Sequence, residues 1–160
     1  MIKIFKHSGI YTLSVEQELP ISTAEAWKFL SNPGNLEKIT PKQMGFVITS
    51  QPSQKVYPGQ IISYKISLLP GIKTNWVTEI THVEEEKYFI DEQRFGPYLM
   101  WHHEHWIKRT TSGVMLYDKV SYKIPFGIIG QLTHQLFIKQ KLTAIFTHRF
   151  NIMQTIFGIV

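Results

Sequence analysis

A chain of 160 residues, 43% hydrophobic and 18% charged, has the length and balance of one globular domain able to bury a core unaided, with a 13% aromatic share generous enough to line a pocket. The absence of cysteine excludes a disulfide framework, a thiolate metal site and a cysteine nucleophile. The net charge of +5 lies wholly in the last 42 residues: twelve Lys/Arg and twelve Asp/Glu cancel over residues 1–118, after which Lys119, Lys123, Lys139, Lys141 and Arg149 follow with no acid.

Such a basic, acid-free region suits an anionic ligand or a peripheral contact with an anionic membrane. Nucleic acid is not expected, because Lys and Arg are not interleaved with aromatics as a stacking groove requires. The opening MIKIFKHSGIYTLSV lacks a continuous apolar h-region and a small-residue cleavage site, and no run of about 18 apolar residues occurs. The expectation is a single domain over residues 1–160 in the cytoplasm.

The first predicted element is a half-buried strand, IYTLSVEQEL, in which Tyr11, Leu13, Val15, Gln17 and Leu19 alternate with polar neighbours. Ser22 with Glu25 three residues on forms a capping box, so a short helix should run from about Thr23 to Leu30. Pro33-Gly34 breaks it, and a further helical turn follows over Asn35 to Lys38. Six period-two segments come next, at about Phe46–Ser50, Ile61–Leu68, Lys73–Val83, Tyr88–Arg94, Tyr98–Thr110 and Val114–Ile124. The turn signals YPGQ, PGIK, EEEK, FGP and TSG separate them as the short connections of an antiparallel meander.

From about Ile128 the apolar residues recur at spacings of mostly three and four: Ile129, Leu132, Leu136, Ile138, Leu142, Ile145, Phe146, Phe150, Met153 and Phe157. That stripe predicts one long helix of roughly 40 Å. It must lie across the concave face of a curved sheet, because nothing else in the chain can bury either surface.

This order, an α+β chain with a seven-stranded antiparallel sheet, two short helices after the first strand and a long C-terminal helix, resembles the helix-grip fold of the START-like (SRPBCC) superfamily. That superfamily takes in birch pollen allergen relatives, lipid-transfer domains and polyketide cyclase-like proteins. The segments FGPYLMWHHEHW, GVMLYDKVSYKIPFG and IFTHRF are similar to a bacterial group of small ligand-binding proteins, in which a Gly-Pro-Tyr turn, a W-x-H-x-H strand and a D-x-V-x-Y-x-x-P-F-G strand recur together. The resemblance implies a tunnel between sheet and helix for a lipid, quinone, polyketide or other hydrophobic molecule, with some members acting as cyclases or aromatases and many only binding.

Strand alternation sorts the histidine-rich stretch: Trp101, His103, His105 and Ile107 share one face, and His102 and Glu104 the other. On the next strand Val114, Leu116, Asp118, Val120 and Tyr122 form the apolar row, so Asp118 is a carboxylate on the buried side and needs a partner. His103 and His105 are the partners expected across from it. Three uses are open to the group. An H-x-H pair can ligate zinc, but needs a third ligand and evident supporting hydrogen bonds. A His–Asp pair can serve as general acid or base in a cyclase, dehydratase or aromatase. A hydrogen-bonded patch can orient a ligand's polar end. The reading adopted is ligand binding, with Trp76, Trp101, His103, His105, Asp118, Tyr122, Leu132, Leu136 and Ile145 lining the site and with no metal or cofactor assigned.

Overall fold

The computed structural model describes residues 2–51, 53–69 and 72–160; Pro70 and Gly71, from the expected PGIK turn, lie outside the described residues. Strand β1 (Lys3–His7) turns back through Ser8 and Gly9, both at positive φ, into β2 (Ile10–Leu19). Two successive left-handed residues are what a tight right-twisting hairpin asks for. Helix α1 (Thr23–Leu30) starts at the capping box of Ser22 and Glu25, whose side chains bond each other's backbone N–H groups. Single 3₁₀ turns at Pro33–Asn35 and Lys42–Met44 follow in place of a second helix, and the chain then enters β3 (Val47–Ile48).

Strands β4 (Ile61–Leu69), β5 (Ile72–Glu84), β6 (Tyr88–Phe95), β7 (Met100–Arg109) and β8 (Val114–Lys123) complete an antiparallel sheet. Its order is β1-β2-β8-β7-β6-β5-β4-β3, eight strands among the described residues where the sequence pattern predicts seven. The additional strand is β1. It lies at the edge with only Ile4 half-buried, and an edge strand that rests little weight on the core leaves no alternation to read. Register shifts in the β4–β5 and β5–β6 ladders mark irregularities that bend strands locally.

The C-terminal segment is helical from Gly127 to Phe157 but not uniformly so: α2 (Gly127–Thr133), a π turn (His134–Ile138) and α3 (Lys139–Phe157). In the π turn the N–H of Lys139 reaches back five residues to the carbonyl of His134. The extra residue per turn rotates everything before it relative to α3. Helix α3, 19 residues and roughly 28 Å long, lies on the sheet. Leu142 and Phe146 pack with Tyr11, Leu13, Val15 and Val120, while Met153 packs with Leu19, Ile107, Val114 and Leu116. The Gln17 side chain donates to the Phe150 carbonyl at 2.8 Å, fixing the helix on β2. Among the described residues no helix is long and apolar enough to cross a membrane.

This placement decides where space remains. Helix α3 fills the surface above β2 and β8, so the rest of the covered sheet, β4 to β7, is left to the 3₁₀ turns and the near side of α3. A cavity of about 180 Å³ lies there.

Candidate functional site

The cavity is walled by Ile62, Tyr64 and Ile66 of β4, Trp76 and Ile80 of β5, and Phe89 of β6. Helix α3 closes it with Leu142, Ile145 and Phe146, and the segment from Phe29 to Phe46 supplies Leu36, Ile39 and Met44. The aromatic wall is self-supporting: Trp76 meets Trp101 edge-on with centroids 5.2 Å apart and stacks on Tyr64 at 5.9 Å. The indole N–H of Trp76 is buried without a protein partner, an unmet donor in a residue that lines the cavity. Burial raises the hydroxyls of Tyr64, helped by the charge of Asp91, and of Tyr98, so both stay neutral at physiological pH.

One wall is polar. Asp91 (β6), His103 and His105 (β7) and Arg149 (α3) all face the cavity, and each arrives there by simple periodicity. On β6, Asp91 alternates with buried Phe89; on α3, Arg149 continues the stripe Leu142, Ile145, Phe146 toward Met153. The register of β7 with β8 sets His105 directly opposite Asp118, and that of β6 with β7 sets Asp91 opposite His103.

The resulting network is dense. Asp118 Oδ1 accepts from His103 Nε2 and from His105 Nδ1, both at 3.0 Å, and lies 3.5 Å from Arg149 Nη1. Asp91 Oδ2 accepts from His105 Nε2 at 2.8 Å, while its Oδ1 accepts from the Thr78 hydroxyl at 3.2 Å. His103 and His105 are each 7% exposed, and their ring centroids are 3.7 Å apart. Phe89 stacks on His105 at 4.1 Å.

The four titratable groups separate by environment. Burial acts to raise Asp118, but the Arg149 guanidinium and the hydrogen bonds from His103 and His105 hold it well below the ordinary carboxylate range. Asp91 is lowered in the same way, its burial outweighed by the hydrogen bond from His105 and the charge of both imidazoles. His103 is pushed down by burial and then by the charge on His105. His105 moves up despite burial, because Asp118 and Asp91 each accept one of its ring N–H groups. Two carboxylates thus face the Arg149 guanidinium and two imidazoles, of which His105 is the more readily protonated. Arg149 Nη2 also approaches His105 Nδ1 to 3.5 Å, the two side chains meeting at the Asp118 carboxylate.

No family model and no curated protein matches the sequence. Solved structures do. Protein Ms6760 from Mycobacterium smegmatis aligns with a TM-score of 0.67 at 14% identity, covering 97% of each chain. The protein TTHA0849 from Thermus thermophilus aligns at 0.66 with 11% identity over 90% of this chain and 97% of that one. Ara h 8.0201, a protein of START-like fold, aligns at 0.60 with 17% identity over 91% and 99%. The fold is the helix-grip fold.

Within that helix-grip frame the residues expected to form the site divide. Trp76, Trp101, His103, His105 and Ile145 all line the cavity. Asp118 does not: it lies behind the two histidines, on the strand that α3 covers, and orients them from the side away from the cavity. Tyr122 is a correction. Fully buried on β8, it bonds His134 at 2.8 Å and stacks with Tyr11, within the part of the interior that α3 fills. Leu132 on α2 and Leu136 within the π turn are corrections too, 56% and 61% exposed, because the turn buries His134 and leaves the apolar side chains on either side of it outward. Two residues of the polar wall were not expected. Asp91 follows from applying to YFIDEQR the alternation used on the neighbouring strands, and Arg149 from extending the helical stripe by one turn.

Proposed function

We propose that the protein binds a hydrophobic small molecule, of lipid, quinone or polyketide-like character, in the cavity between sheet and α3. The observation that carries the reading is the composition of that cavity: aromatic and aliphatic walls, and one polar wall built from Asp91, His103, His105 and Arg149. Buried polar groups of this kind fix the orientation of an otherwise apolar ligand. The guanidinium of Arg149, close to the His105 ring, favours a ligand whose polar end is an oxygen acceptor or an anion.

The test uses 8-anilino-1-naphthalenesulfonate, an aromatic probe with an anionic end, followed by its fluorescence and by the quenching of protein tryptophan. Saturable binding is expected, and Ile145→Trp, which fills the cavity from α3, should weaken it at least about tenfold while leaving the circular dichroism native. Binding unchanged in that variant would remove the cavity as the site.

A second observation favours contact with an anionic membrane surface, the source from which such a ligand would be drawn. Phe126, Ile128, Ile129, Leu132, Leu136 and Phe137 are each more than half exposed, a run of apolar side chains on one short stretch of chain. Lys6 reaches α2 through Gln131 at 2.8 Å and Lys139 follows the π turn, with no acid in residues 119–160 to oppose them. Co-sedimentation with phosphatidylglycerol vesicles should fall with rising salt and be lost in Ile129→Glu/Leu136→Glu, while probe binding in the cavity persists. Failure of the wild-type protein to sediment with those vesicles at low salt would end this reading.

A further inference from the structure

We infer that His103, His105 and Asp91 form a binding site for a divalent transition-metal ion, with Asp118 as the group that orients both imidazoles. Three potential ligand groups converge: His105 Nε2 stands 2.8 Å and His103 Nδ1 3.6 Å from Asp91 Oδ2, and each of the three residues brings one ligand atom within 4.8 Å of the others. An ion about 2.0–2.1 Å from each would require separations of roughly 2.9–3.4 Å between ligand atoms, and the two distances to Asp91 Oδ2 stand within a few tenths of an ångström of that range.

The outer hydrogen bonds point the same way. A ligating histidine donates its other ring N–H to a carboxylate or carbonyl, which fixes the tautomer and turns the free nitrogen toward the metal. Here the nitrogens that do not converge, His103 Nε2 and His105 Nδ1, both lie 3.0 Å from the same oxygen of Asp118. Phe89 stacks on the His105 ring and Trp101 meets the His103 ring edge-on, so neither imidazole is free to rotate away.

One contact is unexplained by hydrogen bonding alone. Because ionised Asp118 can only accept, His103 Nε2 carries a proton, and in the neutral ring Nδ1 keeps a lone pair. That nitrogen lies 3.6 Å from Asp91 Oδ2, outside hydrogen-bond range, in a side chain only 8% exposed. Two acceptors held toward each other in a buried site is an arrangement a cation between them resolves. Ligation by His105 Nε2 releases the proton that nitrogen shares with Asp91; with both imidazoles then neutral, Asp91, Asp118 and Arg149 leave one net negative charge, which an ion of charge two turns to one net positive. Two histidines and one carboxylate leave coordination positions open, and imidazole donors select zinc or iron(II) over magnesium. That the open positions face the cavity, so that an oxygen donor of the bound molecule would complete the coordination, rests on the ligand-binding reading above.

The experiment begins with protein dialysed against a chelator and titrated with zinc and cobalt(II), with magnesium as control. One zinc per chain is expected, with cobalt producing visible d–d absorption and magnesium no response. Asp91→Asn and His103→Ala should each weaken zinc at least about a hundredfold, and Asp118→Asn, which removes no ligand, about 10–100-fold. Spin-echo modulation of copper(II) bound to wild-type protein reads the same site without a variant, and two coordinated imidazoles are expected. The inference is overturned by absence of saturable zinc uptake, by uptake unchanged in natively folded Asp91→Asn and His103→Ala, or by modulation from no imidazole. Binding of the naphthalenesulfonate probe to metal-free protein is measured separately, so loss of the metal inference and loss of the cavity reading are distinct results.

Discussion

At the scale of single residues, the buried charges pose the sharpest energetic question. Asp118 and Arg149 are 16% and 12% exposed and meet at 3.5 Å, with two histidines drawing on the same carboxylate oxygen. Removing one partner of such a group strands the others away from water, so Asp118→Ala should cost about 3–5 kcal/mol in urea unfolding. The double variant Asp118→Leu/Arg149→Met should cost less than the sum of its parts, with a coupling of about 0.5–3 kcal/mol; strict additivity would mean that the pair does not interact. His134 carries a different signature. It is 3% exposed, is hydrogen-bonded to the Tyr122 hydroxyl, stacks on Tyr11 at 3.7 Å, and is lowered from 6.5 by burial and then by Lys139 and Lys6. The unfolded chain therefore takes up a proton near pH 6.5 that the folded chain refuses, and stability falls as pH drops from about 7 through that value. His134→Asn should flatten this limb in urea titrations between pH 8 and pH 5; an unchanged slope would place His134 in water. These side chains also show what could be read in advance. His103, His105 and the burial of Asp118 follow from strand alternation alone. That Asp118 stands behind the histidines while Asp91 stands before them depends on which strands α3 covers, and that is a property of packing between distant segments.

Among elements, the clearest legibility is in those whose local signals agree with their packing. Helix α1 has both its capping box and a buried face at Ala26 and Trp27, and its bounds match the sequence pattern. Strand β1 and the π turn escaped because neither leaves a periodic trace: one is an exposed edge, and the other shifts a period instead of ending it. The consequence concentrates in α2, where Gly130 is the buried residue and the apolar side chains around it face outward. A Cβ at Gly130 would lie 2.0 Å from the Pro125 carbonyl oxygen and 3.2 Å from Ile124 Cγ2, so the helix can approach the end of β8 only without one. Gly130→Ala should cost about 1–3 kcal/mol, whereas Ile129→Gln, one residue away and 71% exposed, should stay within about 0.5 kcal/mol of the parent. Thermal unfolding followed by circular dichroism separates the two, and equal losses would show that α2 seats differently on the sheet.

For the whole molecule, the arrangement trades stability for a cavity. Helix α3 could not close over all eight strands from its seat on β2 and β8, and the volume left above β4 to β7 has mainly apolar walls. At about 24 cal/mol per Å³ an empty space of about 180 Å³ represents roughly 4 kcal/mol of packing forgone, a large share of what a domain of this size has in hand. Occupancy should recover part of it. A ligand present at a hundred times its Kd adds about 2.7 kcal/mol, which for a chain of this length corresponds to a rise in Tm of roughly 5–11 °C. Ile145→Trp should behave as a substitute occupant, since Ile145 faces the cavity from α3 and the indole adds volume where nothing stands. Its expected Tm lies above the parent's without any ligand, and addition of the naphthalenesulfonate probe should then shift it little. Scanning both proteins by circular dichroism, with and without probe, tests the trade directly. A variant less stable than the parent that still gains from the probe would mean that the space above β4 to β7 is neither where the ligand sits nor where stability is lost.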